Sequence, residues 1–184
     1  MPAASKRDMK NAAKSGAPLA STPRSRAGSQ NSYAVCQQIV WDLVSISNHL
    51  EEMRRCWARL FGISGPQWLI LMAISELDQG AGVSVVEVSG KVHAVPTFVT
   101  KNTKILERMG FLRRVGSPTD ARVVLMSLSD EARKKLTEMS ERWDALHEFM
   151  FSDFDASAWR DVKLKLELLK KRSKIATQRI NEDL

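Results

Sequence analysis

The sequence predicts a mainly α-helical protein with a small two- to three-stranded β element, and three observations carry that expectation. Long stretches place apolar residues every three or four positions, two short β-prone runs flank a turn-forming loop, and a tight turn joins two helical segments just upstream of them. Residues 1–32 hold six basic side chains and one acidic, three prolines, and only Met1, Met9 and Leu19 as large apolar groups. A segment that cannot bury apolar surface cannot offset its ordering entropy, so a disordered basic arm is expected there.

The span 33–62 reads as one long helix. Val35, Ile39, Leu43, Ile46, Leu50, Met53, Trp57 and Leu60 step by four or three, a heptad-like seam about 40 Å long. Gln67-Trp68 opens the next helix, and Trp68 to Ile74 is the longest apolar run. That run falls well short of the ~18 residues a membrane span needs, so a soluble protein is expected.

Ser84 stands three residues before Glu87, the capping-box spacing for a helix N-terminus. A short helix is therefore expected over Val85–Val92, then a turn of His93, Ala94 and Val95, then a helix from Pro96 to Met109. Proline is tolerated in a first turn, where its missing N–H would be an orphan donor anyway. Phe98, Ile105, Leu106 and Met109 are assigned to one face of this helix and Thr97, Thr100, Lys101, Lys104 and Arg108 to others. Gly110 supplies the left-handed stop. Phe111–Val115 and Val123–Leu128 are then strands joined by Gly116, Ser117, Pro118, Thr119 and Asp120. Over residues 63–128 the pattern is a helix-turn-helix followed by a β wing spanning 112–128, whose second helix is of the kind that enters a DNA major groove.

Two further helices fill 129–184. The first, Asp130 to Phe151, starts at Ser129 and carries Ala132, Leu136, Met139, Trp143, Leu146 and Met150. The second, capped by Asp155, carries Trp159, Val162, Leu166, Leu169, Ala176 and Ile180, with a second apolar edge at Leu164, Leu168 and Ile175. Long helices with two apolar faces exceed what one small domain covers, and uncovered apolar patches mark interfaces. The first helix and the last two are thus expected to intertwine with their copies in a two-fold homodimer.

The net charge of +7 is unevenly spread. Residues 91–122 hold seven basic side chains against two acidic, and 156–184 eight against four. Excess positive charge on a helix-turn-helix with a wing points to nucleic acid, because phosphate neutralisation supplies most of non-specific DNA affinity. Cys36 and Cys56 fall on one helix about 30 Å apart, beyond the ~7 Å limit for a disulfide. That suits a reduced cytoplasm. Cysteine and histidine spacing suggests no metal site, and no paired carboxylate, triad or phosphate-cradling glycine loop suggests an enzyme or a cofactor.

From about Tyr33 onward the chain resembles the MarR family of winged helix-turn-helix transcriptional regulators. The resemblance rests on Gln67-Trp68, on Leu106-Glu107 followed by Gly110-Phe111-Leu112, on Arg114, and on Asp120-x-Arg122 leading into Leu128 and Ser129. His93 and Ala94 depart from it, since such proteins often place glycine in that turn. The resemblance implies a homodimer on a palindromic DNA operator, usually as a repressor. It also implies release by a small phenolic or aromatic ligand in a crevice between the dimerisation helices and the winged helix.

The candidate DNA-binding residues are Thr97, Thr100, Lys101, Lys104, Arg113, Arg114 and Arg122, with Asp120 orienting Arg122. Lysine reaches guanine acceptors and threonine a thymine methyl or a phosphate, and contact with phosphate alone stays open for these four helix residues. Arg122 resembles the family's wing arginine, which reaches backbone or minor groove. Arg113 and Arg114 suit either phosphate contacts or ion pairs within the scaffold. The candidate effector residues are Trp41, Ser45, His49, Arg55 and Trp68, an aromatic wall with polar groups suited to a planar organic anion; a core role for Trp41 and Trp68 is the alternative. Two other functions stay open at this stage: an oxidant sensor acting through Cys36, and a winged-helix protein-interaction module that binds no DNA.

Overall fold

The computed structural model describes residues 26–183. The chain divides into two units, residues 1–53 and 54–184. Helix α1, Arg26–Leu60, runs through the boundary. It starts before Tyr33, so 26–32 are helical where a disordered arm was expected. Extending an existing helix costs far less than nucleating one, which lets a long stable helix recruit poor helix formers at its end. The rest of the expected arm lies outside the described residues. Within the first unit Val35, Ile39, Val40, Trp41, Val44 and Ile46 are exposed.

The second unit holds the core. Helix α2, Gly65–Leu77, begins at a capping box in which the Ser64 hydroxyl accepts the Gln67 N–H and Gln67 Oε1 accepts the Ser64 N–H at 2.9 Å. Its inner face buries Trp68, Ile70, Leu71, Ala73 and Ile74. Strand β1, Val83–Ser84, leads into α3, Val85–Val92, and α4, Pro96–Arg108, follows. Strands β2, Leu112–Gly116, and β3, Val124–Leu128, complete an antiparallel sheet of order β1-β3-β2. The register pairs Leu112 with Leu128 and Gly116 with Val124 across the wing, and Val83 with Met126 at the added strand. Val88, Val99, Leu106, Leu112, Met126 and Ala132 meet the α2 residues in one buried cluster. Each fully buried aliphatic side chain of this kind contributes roughly 1.5–3 kcal/mol, and this is what holds the short helices against a three-stranded sheet.

Two sequence expectations change here. The stretch Asp130–Phe151 is two helices, α5 (Asp130–Glu138) and α6 (Ser140–Phe151), broken at Met139. Thr137 Oγ1 donates to the Arg133 carbonyl and Ser140 Oγ to the Thr137 carbonyl, at 3.0 and 2.8 Å. Such back-bonding competes with the helical ladder and bends it. Helix α7, Ala156–Asp183, follows a turn in which Asp155 Oδ1 accepts the Ala158 N–H at 2.8 Å, the cap expected from sequence.

The second change concerns α4. Its buried face is Val99, Asn102, Thr103 and Leu106, whereas Phe98 and Met109 are each 41% exposed. Asn102 and Thr103 can turn inward because each finds a backbone acceptor within the helix, the carbonyls of Phe98 and Thr100. The apolar pattern of the sequence had assigned neither residue to a face.

Candidate nucleic-acid interface

The turn between α3 and α4 is built on His93, which caps α3 in the left-handed conformation with φ of 54°. Its N–H and that of Ala94 both donate to the Ser89 carbonyl. A side chain there is costly, and histidine is among the residues that tolerate it best. At the far end, α4 stops in a Schellman arrangement. Gly110, with φ of 81°, donates to the Glu107 carbonyl, Phe111 donates to that of Leu106, and the Leu106 and Phe111 side chains are both buried. These two caps fix which side of α4 faces the core.

With Val99, Asn102, Thr103 and Leu106 inward, the opposite face presents Thr97, Lys101, Lys104 and Arg108, all exposed. They follow the i, i+4, i+7, i+11 spacing of a single helical stripe, about 16 Å long. Thr100 is half-buried on the flank. Arg108 extends the cationic stripe by a turn and was missing from the site read in the sequence, although its spacing from Lys101 and Lys104 would have found it. The N-terminus of α4 has no side-chain cap, because Val95 stands at the cap position. Pro96 has no N–H, and the Phe98 and Val99 N–H groups donate to the Val95 carbonyl, so it is the helix dipole that adds positive potential at this end.

The wing carries the other cations. Ser117 N–H donates to the Val123 carbonyl at 2.8 Å and Val123 N–H to the Asp120 carbonyl at 2.9 Å, which closes the loop. Asp120 Oδ1 accepts the Arg122 backbone N–H at 2.9 Å, so the carboxylate orients Arg122 through its backbone. Arg122 itself is exposed. Arg113 ion-pairs with Asp130, and Arg114, largely buried, lies with Nε 4.0 Å from Glu107 Oε2. Of the two sequence readings for these arginines, the structure places both beside carboxylates of the scaffold.

Of the candidate effector residues, Trp41, Ser45 and His49 are exposed along α1 in the first unit, and Arg55 is exposed in the second. Trp68 belongs to the core, 3% exposed and edge-on to Phe61 with ring centroids 4.9 Å apart. It sits on the inner face of α2, which removes it as an open pocket wall. Cys36 and Cys56 are both free and exposed, and Arg59 donates to the Cys56 sulfur at 3.1 Å. Among the described residues no group of three or more histidine, cysteine or acidic side chains is placed to hold a metal. No single described helix is long and apolar enough to cross a membrane.

Helix, tight turn, helix and three-stranded wing around one core define a winged helix-turn-helix. Residues 63–124 match the MarR family. The chain is similar in structure to a MarR protein from Peptoclostridium difficile, with a TM-score of 0.61 at 18% identity over 87% of this chain and 95% of that one. AbfR of Staphylococcus epidermidis gives 0.64 at 17% identity, covering 79% and 98%. FabT of Streptococcus pneumoniae, solved in complex with DNA, gives 0.58 at 23%, covering 75% and 96%. No curated protein matches the chain. The match to the MarR family covers residues 63–124, and the likeness to the solved structures is one of fold.

Proposed function

We propose that this protein is a transcriptional regulator, a repressor, that binds a palindromic DNA operator as a homodimer in the cytoplasm and is released by a small aromatic or phenolic ligand. The observation that carries the reading is the stripe Thr97, Lys101, Lys104 and Arg108 on the outward face of α4, alongside an exposed wing arginine. A helix that turns its polar and cationic residues outward while its caps lock the apolar face inward suits entry into a major groove. FabT, of the same fold, is seen bound to DNA.

A homodimer is supported by apolar side chains left uncovered within each unit: Val35, Val40 and Ile46 on α1, and Leu164, Leu168 and Ile180 on α7. Two winged helices related by a two-fold axis would read half-sites about 34 Å apart, hence the palindrome. The exposed Trp41, Ser45 and His49, in the first unit, are residues proposed to hold the effector. A coupling of about 1–3 kcal/mol between ligand and DNA is sufficient for a switch of roughly 5- to 150-fold.

Fluorescence anisotropy on a random duplex across a salt series tests the DNA reading. Affinity that falls steeply with salt supports it, since each neutralised phosphate contributes a slope of about −0.9. Absent or salt-independent binding favours a protein-interaction module instead.

A further inference from the structure

Phe98 is a large apolar side chain where the proposed function leaves no obvious use for one. It lies in the first turn of α4, is 41% exposed, and flanks the outward stripe a little over a quarter turn round the helix from Thr97. The core did not need it: Val99, Thr103 and Leu106 close the packing on the inner face, while the Phe98 carbonyl accepts the Asn102 side chain. The residues of a recognition helix nearest its N-terminus are those that approach base edges. In the major groove the apolar group offered by an unmodified base pair is the C5-methyl of thymine, and phenylalanine is among the side chains that contact it.

We infer that Phe98 reads a thymine C5-methyl group in each half-site, so that the protein's base preference is set by an apolar contact beside the Lys101 and Lys104 hydrogen-bond donors. This rests on the DNA-binding reading above and adds to it the chemistry of one recognised base. The lysines sit one and nearly two turns further along the helix, so the thymine lies to one side of the bases or phosphates they meet.

The test begins with selection of bound sequences from a random duplex pool by the full-length protein. Each thymine of the selected site is then replaced by uracil, which removes the methyl and nothing else. Wild-type protein is expected to lose roughly fourfold in affinity at one thymine per half-site, and roughly fifteenfold when both half-sites are changed, the scale of one apolar carbon per contact. Phe98→Ala should bind thymine and uracil sites equally, whereas Phe98→Leu should keep part of the discrimination. Circular dichroism of both variants confirms the fold, and the Leu variant carries the test if the Ala variant does not fold.

Equal uracil sensitivity in wild type and variant, or sensitivity at no thymine, overturns the inference while leaving DNA binding intact. A gain on methylating cytosines without a loss at uracil overturns the assignment to thymine. Failure of the wild-type protein to select any sequence overturns the DNA reading and this inference with it.

Discussion

Ser84 and Glu87 cap α3 reciprocally: the Ser84 hydroxyl accepts the Glu87 N–H at 3.3 Å, and Glu87 Oε2 accepts the Ser84 N–H at 2.8 Å. The helix they start, VVEVSGKV, is poor in helix formers, rich in β-branched residues, and contains Gly90. Its first turn therefore depends on this pair more than a strong helix would.

Replacing Ser84 by Ala should destabilise the protein by about 1 kcal/mol, the usual worth of a cap. That corresponds to a fall of roughly 2–4 °C in thermal midpoint for a chain of this size. Calorimetry would check it, and an unchanged midpoint would show that tertiary packing alone holds α3.

The same pair predicts a pH response. Hydrogen bonds from the Ser84 backbone, and then from its hydroxyl, hold the Glu87 carboxyl below the usual glutamate range. The folded protein thus binds that proton less readily than the unfolded chain does. The resulting stabilisation is present above the ordinary glutamate pKa of about 4.3 and is lost as pH falls through the lowered folded value. Glu87→Gln should flatten the acid limb of stability against pH while changing little near neutrality except the cap itself. Urea midpoints measured from neutral pH to below the glutamate range would show the difference.

DNA affinity should separate the cations by their partners. Lys101→Ala, Lys104→Ala and Arg108→Ala are each expected to weaken binding, and any that meets a phosphate should reduce the salt slope by about 1. Arg113→Ala removes a side chain already paired with Asp130 in a solvent-exposed bridge, worth at most about 1 kcal/mol of stability. Its effect on DNA should be smaller than that of any of the three α4 changes. Anisotropy titrations at several salt concentrations give all four slopes, and an Arg113 effect equal to the others would mean that DNA breaks the ion pair.

His93→Gly should stabilise the turn. A non-glycine residue at positive φ carries a penalty of about 1–2 kcal/mol, part of which is returned by the greater entropy of glycine in the unfolded chain. A net gain of about 0.5–1 kcal/mol is expected. His93→Val, with a branched Cβ in the same conformation, should lose stability. Denaturant midpoints of the two variants moving in the same direction would refute the assignment of strain to this position.

Leu164 and Leu168 are 65% and 52% exposed and one helical turn apart on α7. If they lie in the proposed homodimer interface, Leu164→Glu with Leu168→Glu should raise the dimer dissociation constant at least about 100-fold, since each charge buried unpaired costs several kcal/mol. Sedimentation velocity would read it directly. A variant that still sediments as a dimer at low micromolar concentration would place the interface elsewhere.

Where the sequence was legible, local chemistry determined the structure. Ser84, Glu87 and Gly110 marked helix ends through hydrogen-bonding and φ preferences that act within a few residues, and α3 spans the residues that those signals bracket. Residues 111–115 and 123–128 are likewise β-prone runs on either side of a turn-forming set, and β2 and β3 match them to within a residue at each end. What the apolar pattern did not show has several causes. Asn102 and Thr103 turn inward because they satisfy themselves on their own helix, which frees Phe98 and Met109 to face out. Trp68 stayed open between pocket wall and core because an aromatic residue opening a helix has the same local signature whether or not Phe61 covers it. The break at Met139 was hidden by an apolar periodicity that runs straight across it, and β1 by its length of two residues.

Three of the five tryptophans converge: Trp57 lies 5.4 Å and Trp68 6.2 Å from Trp143, centroid to centroid. They come from the end of α1, from α2 and from α6, so indoles on three separate helices share one neighbourhood. Rings this close exchange excitation energy, and their emission colour and near-ultraviolet ellipticity depend on mutual tilt. A rearrangement of any of the three helices would therefore register optically in the unlabelled protein.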